Sequence, residues 1–154
     1  MAEEENQKFE IQKIYVKDIS FETPGSPKAF MAKWNPKTDV HIQTENNKLD
    51  KNIFEVYITV TVTAIQEEAT VFLAEVKQAG IFLVQNFQED QYEQLLGSYC
   101  PNILFPFARE TIAGLISKGG FPQLLLNPVN FEALYQQHVD ALKEQKPKPD
   151  QIKH

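Results

Sequence analysis

Apolar and polar residues alternate along the first half of the chain with a period of two, which is typical of half-buried β-strands. The clearest run covers 54–64, where the inward-facing residues are Phe54, Val56, Ile58, Val60, Val62 and Ala64. Shorter runs at 40–44 and 72–76 predict two further strands. Between Phe9 and Phe21 the apolar residues change parity twice, which predicts a first strand that is bulged or strongly twisted.

The apolar period becomes helical after residue 90. Pro101 and Pro106 fall within this stretch, which predicts a short helix, a break and a kinked helix ending at Gly119-Gly120. Asn130 is the predicted N-cap of a last helix, whose apolar stripe includes Leu134, Tyr135 and Leu142. Four strands followed by two main helices predict an α+β domain with the helices on one sheet face. Residues 23–39 predict a long connection between the first two strands, because a tight hairpin needs only about 2–5 residues.

Length, charge and cysteine content narrow the class of protein. The 154 residues fit one domain, taken here as 9–142 between a flexible acidic arm (1–8) and a flexible polar tail (143–154). The net charge of −6 gives no electrostatic reason to bind nucleic acid or an anionic membrane. The chain lacks both a signal-peptide pattern and an apolar run of about 18 residues, so we expect no membrane insertion. A single cysteine excludes an intrachain disulfide and favours the cytoplasm.

Residues with catalytic or metal-binding chemistry are scattered through the sequence. It has no glycine-rich phosphate loop and no Gly-x-Ser-x-Gly nucleophile motif. The three histidines (His41, His138 and His154) and Cys100 do not have the spacing of a zinc site. Cys100 has no basic residue nearby in sequence, and we expect it to be buried. The sequence therefore predicts a binding protein without enzymatic activity, metal or cofactor.

Two surfaces are candidates for binding. Eleven Phe, five Tyr and one Trp are many for a single small sheet to cover, and the set Phe21, Phe30, Trp34, Phe72 and Tyr135 could form an exposed apolar patch. The alternative is that these rings form the core and an oligomer interface. The second surface is acidic, because Asp18 and Glu22 share one strand parity, and Leu73 and Glu75 face away from Phe72. The alternative here is an ordinary solvated outer sheet face.

Several separate segments resemble SecB, the bacterial protein-export chaperone family. Residues 99–110 read Tyr-Cys-Pro-Asn-Ile-Leu-Phe-Pro-Phe-Ala-Arg-Glu, and residues 14–22 read Ile-Tyr-Val-Lys-Asp-Ile-Ser-Phe-Glu. Residues 119–124 read Gly-Gly-Phe-Pro-Gln-Leu and residues 128–131 read Pro-Val-Asn-Phe. The similarity extends from about Phe9 to about Leu142, and the segments occur in the same order as in the family.

The resemblance implies a cytoplasmic homotetramer, a dimer of dimers, whose subunits have a four-stranded antiparallel sheet, two main helices and a crossover loop after the first strand. It implies that the protein keeps unfolded preproteins translocation-competent without ATP and delivers them to the motor SecA. The implied client-binding residues, with Trp34 beside the last helix, are Trp34, Val40, Ile42, Leu134, Tyr135 and Val139. The implied SecA-binding residues are Asp18, Glu22, Leu73 and Glu75.

The sequence also departs from the family pattern. Ala79 occupies the expected first glycine of a Gly-Gly-Ile-Phe turn, and the tail from Lys143 is net positive where relatives are expected to be acidic. A tail contact with SecA is therefore not expected. Three alternatives stay open: a SecB-like chaperone serving a toxin–antitoxin system or acting as a general holdase, a small-ligand pocket, and an enzyme with dispersed carboxylates.

Overall fold

A computed structural model describes residues 6–145, which form a four-stranded antiparallel sheet covered by helices on one face. The strands are β1 (Lys8–Glu22), β2 (Lys37–Asp50), β3 (Ile53–Gln66) and β4 (Ala69–Gln85), and their order across the sheet is β1-β4-β3-β2. The inner face of β3 and β4 is buried apart from the partly exposed Phe54, with Val56, Ile58, Val60, Phe72 and Phe82 among its core residues. The predicted α+β architecture with a long connection between β1 and β2 is confirmed.

Strand β1 contains two register shifts against β4, one between Ile11 and Lys13 and one between Val16 and Asp18. These are the two positions where the apolar parity changes in the sequence. Each extra residue moves the following side chains to the opposite face. The second shift therefore keeps Phe21 inside while it places Asp18 on the outer face, opposite Lys77.

Strand β4 is longer than the sequence pattern predicts. The expected turn at Ala79-Gly80 is wrong, because both residues are in β4 and pair with Tyr57 and Val56. A glycine is required here for packing, since a methyl group added at Gly80 would lie 3.1 Å from Leu104 Cδ2 and closer still to the Phe82 ring. Gly80 thus allows the helical layer to approach the sheet closely.

The long helical segment is continuous from residue 89 to residue 118, so the predicted break is wrong. It consists of α1 (Glu89–Gln94), a π-helical turn (Leu95–Tyr99) and α2 (Cys100–Lys118). Pro101 lies at the start of α2, directly after the π-helical turn, and the helix continues through it. Within the π-helical turn the Cys100 N–H donates to the Leu95 carbonyl, five residues back. The predicted end of the helix at Gly119-Gly120 is confirmed, with Gly120 at φ +89°.

The last helix, α3 (Phe131–Gln145), begins after the predicted cap residue. The Ala133 N–H donates to Asn130 Oδ1 at 3.0 Å, which satisfies one of the free amides of the first turn. Regular structure extends slightly beyond 9–142, because β1 includes Lys8 and α3 includes residues 143–145. Residues 1–5 of the predicted arm and 146–154 of the predicted tail lie outside the described residues.

Candidate functional site

An open groove of about 1250 Å³ lies between the inner face of β2 and the helices α1 and α3. Its apolar and aromatic lining residues are Ile42, Phe54, Phe87, Tyr92, Leu96, Phe131, Leu134, Tyr135, Val139 and Leu142. Its charged lining residues are Glu45, Lys48, Glu89 and Glu93. Of the six predicted client-binding residues, the groove therefore brings together Ile42, Leu134, Tyr135 and Val139.

Different elements hold the two walls of the groove. Ile42 points inward from β2, opposite Val60 of the core. On the other wall Phe131 is buried at the start of α3, and its ring meets Phe105 edge-on with centroids 5.7 Å apart. After this anchor α3 is amphipathic and weakly packed, so its apolar side chains stay partly exposed to solvent.

Trp34 and Val40 are not among the lining residues of this groove. Trp34 lies over Phe121, in the loop between α2 and α3, with ring centroids 5.3 Å apart. Phe30 stacks on the same Phe121 ring at 5.1 Å and remains about half exposed, while Met31 is 88% exposed. Val40 is 43% exposed on β2, opposite Val62. The protein thus has a second apolar surface around the crossover loop.

The four predicted acidic-face residues lie together on the outer face of the sheet. Glu22 is directly opposite Leu73, and Ser20 is directly opposite Glu75. Asp18 is one row further along, opposite Lys77. Because the groove is on the inner face, the sheet separates the two surfaces.

A buried carboxylate holds the bulge that orients this acidic face. Glu55 on β3 is only 8% exposed, and its side chain accepts hydrogen bonds from Tyr15 Oη, from Lys17 Nζ at 2.9 Å and from Asn47 Nδ2 at 3.3 Å. Lys17 is the extra residue of the second β1 bulge, and its Nζ also lies 4.5 Å from the Tyr57 ring centroid. Burial raises the pKa of Glu55, but the hydrogen bonds from Tyr15, Lys17 and Asn47 outweigh it and lower the pKa below its ordinary value. Burial, with the hydrogen bond to Glu55, raises the pKa of Tyr15 to about 12.

We expect Glu55→Gln to remove an acid-dependent part of the stability. Because the pKa of Glu55 is lowered on folding, its ionised form stabilises the fold above the unfolded pKa of about 4.3, and this contribution is lost as the pH falls through the folded pKa. At pH 7 the variant should be less stable by about 1–2 kcal/mol. This range is the contribution of hydrogen bonds to a charged group, reduced because Lys17 is partly exposed to solvent. Urea unfolding between pH 7 and pH 3 measures the difference.

The control for this prediction is Glu10→Gln, an exposed carboxylate on strand β1. Its stability should follow that of the original protein throughout the pH range. A constant difference between Glu55→Gln and the original protein down to pH 3 would contradict the role assigned to the Glu55 carboxylate.

Comparison with known proteins identifies the family. The family model described as "Preprotein translocase subunit SecB" matches residues 2–142. The chain belongs to the SecB family. The Methylococcus capsulatus "Protein-export protein SecB" is 51% identical over 94% of this chain and 96% of its own length. The Halorhodospira halophila protein of the same name is 53% identical over 86% of this chain and 77% of its own length.

A solved structure agrees with this SecB fold. It is a SecB-like chaperone of Mycobacterium tuberculosis in complex with a peptide from an antitoxin, with a TM-score of 0.64. The match covers 79% of this chain and 87% of the other chain at 16% sequence identity. At this identity the likeness concerns the fold alone.

Among the described residues, the side chains to consider for reactive or metal-binding chemistry are Cys100 and the His, Asp and Glu residues. Cys100 is fully buried, as the sequence predicts, and burial raises the pKa of its thiol to about 12, which keeps the thiol protonated and poorly nucleophilic at neutral pH. Within residues 6–145 no three His, Cys, Asp or Glu side chains are grouped so as to hold a metal ion. In the same range no helix is long and apolar enough to cross a membrane.

Sequence reasoning missed several groove residues. Phe54 and Leu142 carried a usable signal, because Phe54 has the inward parity of β3 and Leu142 lies on the apolar stripe of the last helix. Leu96 and Gly97 could not be assigned, because the π-helical turn changes which residues of the helix face α3. The Glu55 network was also missed, since a single glutamate on an alternating strand gives no sign of burial.

Proposed function

We propose that this protein is an export chaperone that holds unfolded preproteins in a translocation-competent state without ATP and transfers them to SecA. The observation that carries the proposal is the open groove with an apolar lining, in a chain about half identical to proteins named for protein export. A non-native chain exposes apolar segments at many positions. A partly exposed groove can bind many such segments without reading a defined sequence.

The proposed client surface has two parts. The first is the groove with Ile42, Leu134, Tyr135 and Val139, and the second is the crossover-loop surface with Trp34 and Val40. An extended client that contacts both surfaces gains avidity, because the second contact becomes intramolecular after the first. Weak individual contacts therefore allow tight holding and also stepwise release.

The proposed SecA-binding surface is the outer sheet face with Asp18, Glu22, Leu73 and Glu75. Three carboxylates around one apolar side chain suit a partner segment that presents basic groups around an apolar residue. Because clients bind on the inner face, SecA can dock while a client is still held. Release then follows from coupling between the two binding events and needs no nucleotide on this chain.

We also propose that the protein forms a homotetramer, a dimer of dimers, in the cytoplasm, and that it has no enzymatic activity. Strand β1 is at the sheet edge, and its inward-facing Ile11, Val16 and Ile19 are each more than 40% exposed, although they pair with inner-face positions of β4. Phe107 and Tyr99 of the helical layer are exposed to a similar degree. An exposed apolar edge of this kind favours association with a second copy.

Service to a toxin–antitoxin system is the less favoured alternative. The solved structure that is 16% identical is a complex with an antitoxin peptide, whereas the relatives at 51% and 53% identity are named for protein export. Binding of an antitoxin in preference to SecA in a pull-down would support this alternative.

The proposed function is tested with a reduced, slow-folding exported precursor. At a stoichiometric amount of tetramer, we expect refolding to slow and aggregation to fall without added ATP. The proposal is wrong if the precursor folds and aggregates at its unassisted rates.

A further inference from the structure

The π-helical turn Leu95–Tyr99 faces α3 and is the element that α3 contacts most. A π-helical turn inserts one residue into an α-helix and changes which side chains face a neighbour. Here the insertion places a glycine, Gly97, in the lining of the groove opposite Tyr135.

The ring of Tyr135 lies directly on the backbone at Gly97. A methyl group added at Gly97 would be 2.5 Å from Tyr135 Cδ1 and 2.6 Å from Tyr135 Cε1. These distances are far inside van der Waals contact, so any larger residue at this position must move the ring or the helix that carries it. Burial, together with the charge of Glu93, raises the pKa of Tyr135, in agreement with a ring held against the helix.

Few other contacts fix the direction of α3. Phe131 at its first position is the only buried residue in the helix. Leu134 remains 39% exposed and Leu142 48% exposed, so neither is packed firmly. A rigid helix held at one end needs a second contact to define its angle, and the Tyr135 ring on Gly97 provides it one turn after Phe131.

We propose that Gly97 is a positioning residue for the client groove, because it lets Tyr135 lie on the π-helical turn and so sets the distance between α3 and β2. This inference rests on the proposed function of the groove. A side chain at position 97 lifts α3 away, and Leu134 and Val139 then no longer converge on the same apolar client segment as Ile42.

The test compares Gly97→Ala with Gly114→Ala. Both glycines are in the continuous helical segment, but a methyl group at Gly114 would meet no atom within 4 Å beyond its own helix backbone and chain neighbours. We expect Gly97→Ala to weaken the binding of an unfolded, fluorescently labelled precursor at least fivefold and to speed hydrogen exchange of the α3 amides. Gly114→Ala should bind as the original protein does, with unchanged exchange in α3. Equal affinity and equal α3 exchange for the two variants would overturn the proposal.

A double variant separates positioning from a general loss of structure. In a Tyr135→Ala background the ring is absent, so adding Gly97→Ala should change the affinity by less than twofold. A full additional loss in that background would show that Gly97 acts through something other than Tyr135.

If the original protein binds no precursor, the proposed function fails, and the α3 exchange rates still test the Gly97–Tyr135 contact. If Gly97→Ala does not fold, Gly97→Ala/Tyr135→Ala should fold, and its failure to do so would contradict the assigned clash.

Discussion

Placing aspartate at Ile42 and Val139 should abolish client holding while the fold is retained. The two residues lie on opposite walls of the groove, on β2 and α3, and both are partly exposed to solvent, although Ile42 also packs against the core. Each aspartate removes an apolar contact, worth up to about 1.5–3 kcal/mol for a fully buried side chain, and places a charge against the apolar client, and each 1.4 kcal/mol is a factor of ten in affinity. The double variant should therefore bind an unfolded precursor at least a hundredfold more weakly. Fluorescence titration with a labelled precursor measures this loss.

The matched control is Gln137→Asp. Gln137 is an exposed residue of α3 outside the groove lining, so it introduces the same charged side chain on the same helix. Its precursor affinity should stay within about twofold of the original. Undiminished suppression of aggregation by Ile42→Asp/Val139→Asp, in a protein that remains folded by circular dichroism, would remove the groove from the client surface.

Strand features were predictable because side chains on a strand alternate between two faces. An extra residue in β1 therefore reverses the parity of the apolar positions that follow it, and the parity changes after Ile11 and after Val16 indicate both bulges. The helical segment was less predictable. Pro101 indicates a break in most helices, but here it lies in the first turn of α2, directly after a π-helical turn whose sequence has no distinctive pattern.

The two candidate surfaces show the same contrast. Asp18 and Glu75 could be assigned to one face from strand parity and the second bulge, and the pairing of β1 with β4 brings them into adjacent rows. The contacts of Trp34 could not be derived, because a long connection has no period. Its packing on Phe121 depends on where the loop after α2 returns to the sheet. For residues in such a connection, the resemblance to a family suggested a role for the residue, but it did not indicate which side chains the residue contacts.

Glu75→Lys should abolish SecA binding and leave client holding intact. The substitution changes the local charge by two units between Asp18 and Glu22, on a face where the partner is expected to present basic groups. We expect a loss of at least a hundredfold, or about 2.7 kcal/mol, because an attractive contact is replaced by repulsion. The precursor affinity should not change, since the groove lies on the other side of the sheet. Isothermal titration with SecA and fluorescence titration with a precursor measure the two affinities separately.

Two controls separate the role of the site from net charge. Glu10→Lys makes the same charge change on the outer face of β1, but opposite Leu83 and far along the strand from Asp18, so it should reduce SecA affinity only slightly. Glu75→Gln removes the charge but keeps an oxygen that can accept the hydrogen bond from Thr61 Oγ1, so it should show an intermediate affinity with a weaker salt dependence. SecA affinity at the original level in Glu75→Lys, or an equal loss in Glu10→Lys, would show that SecA does not bind at this face.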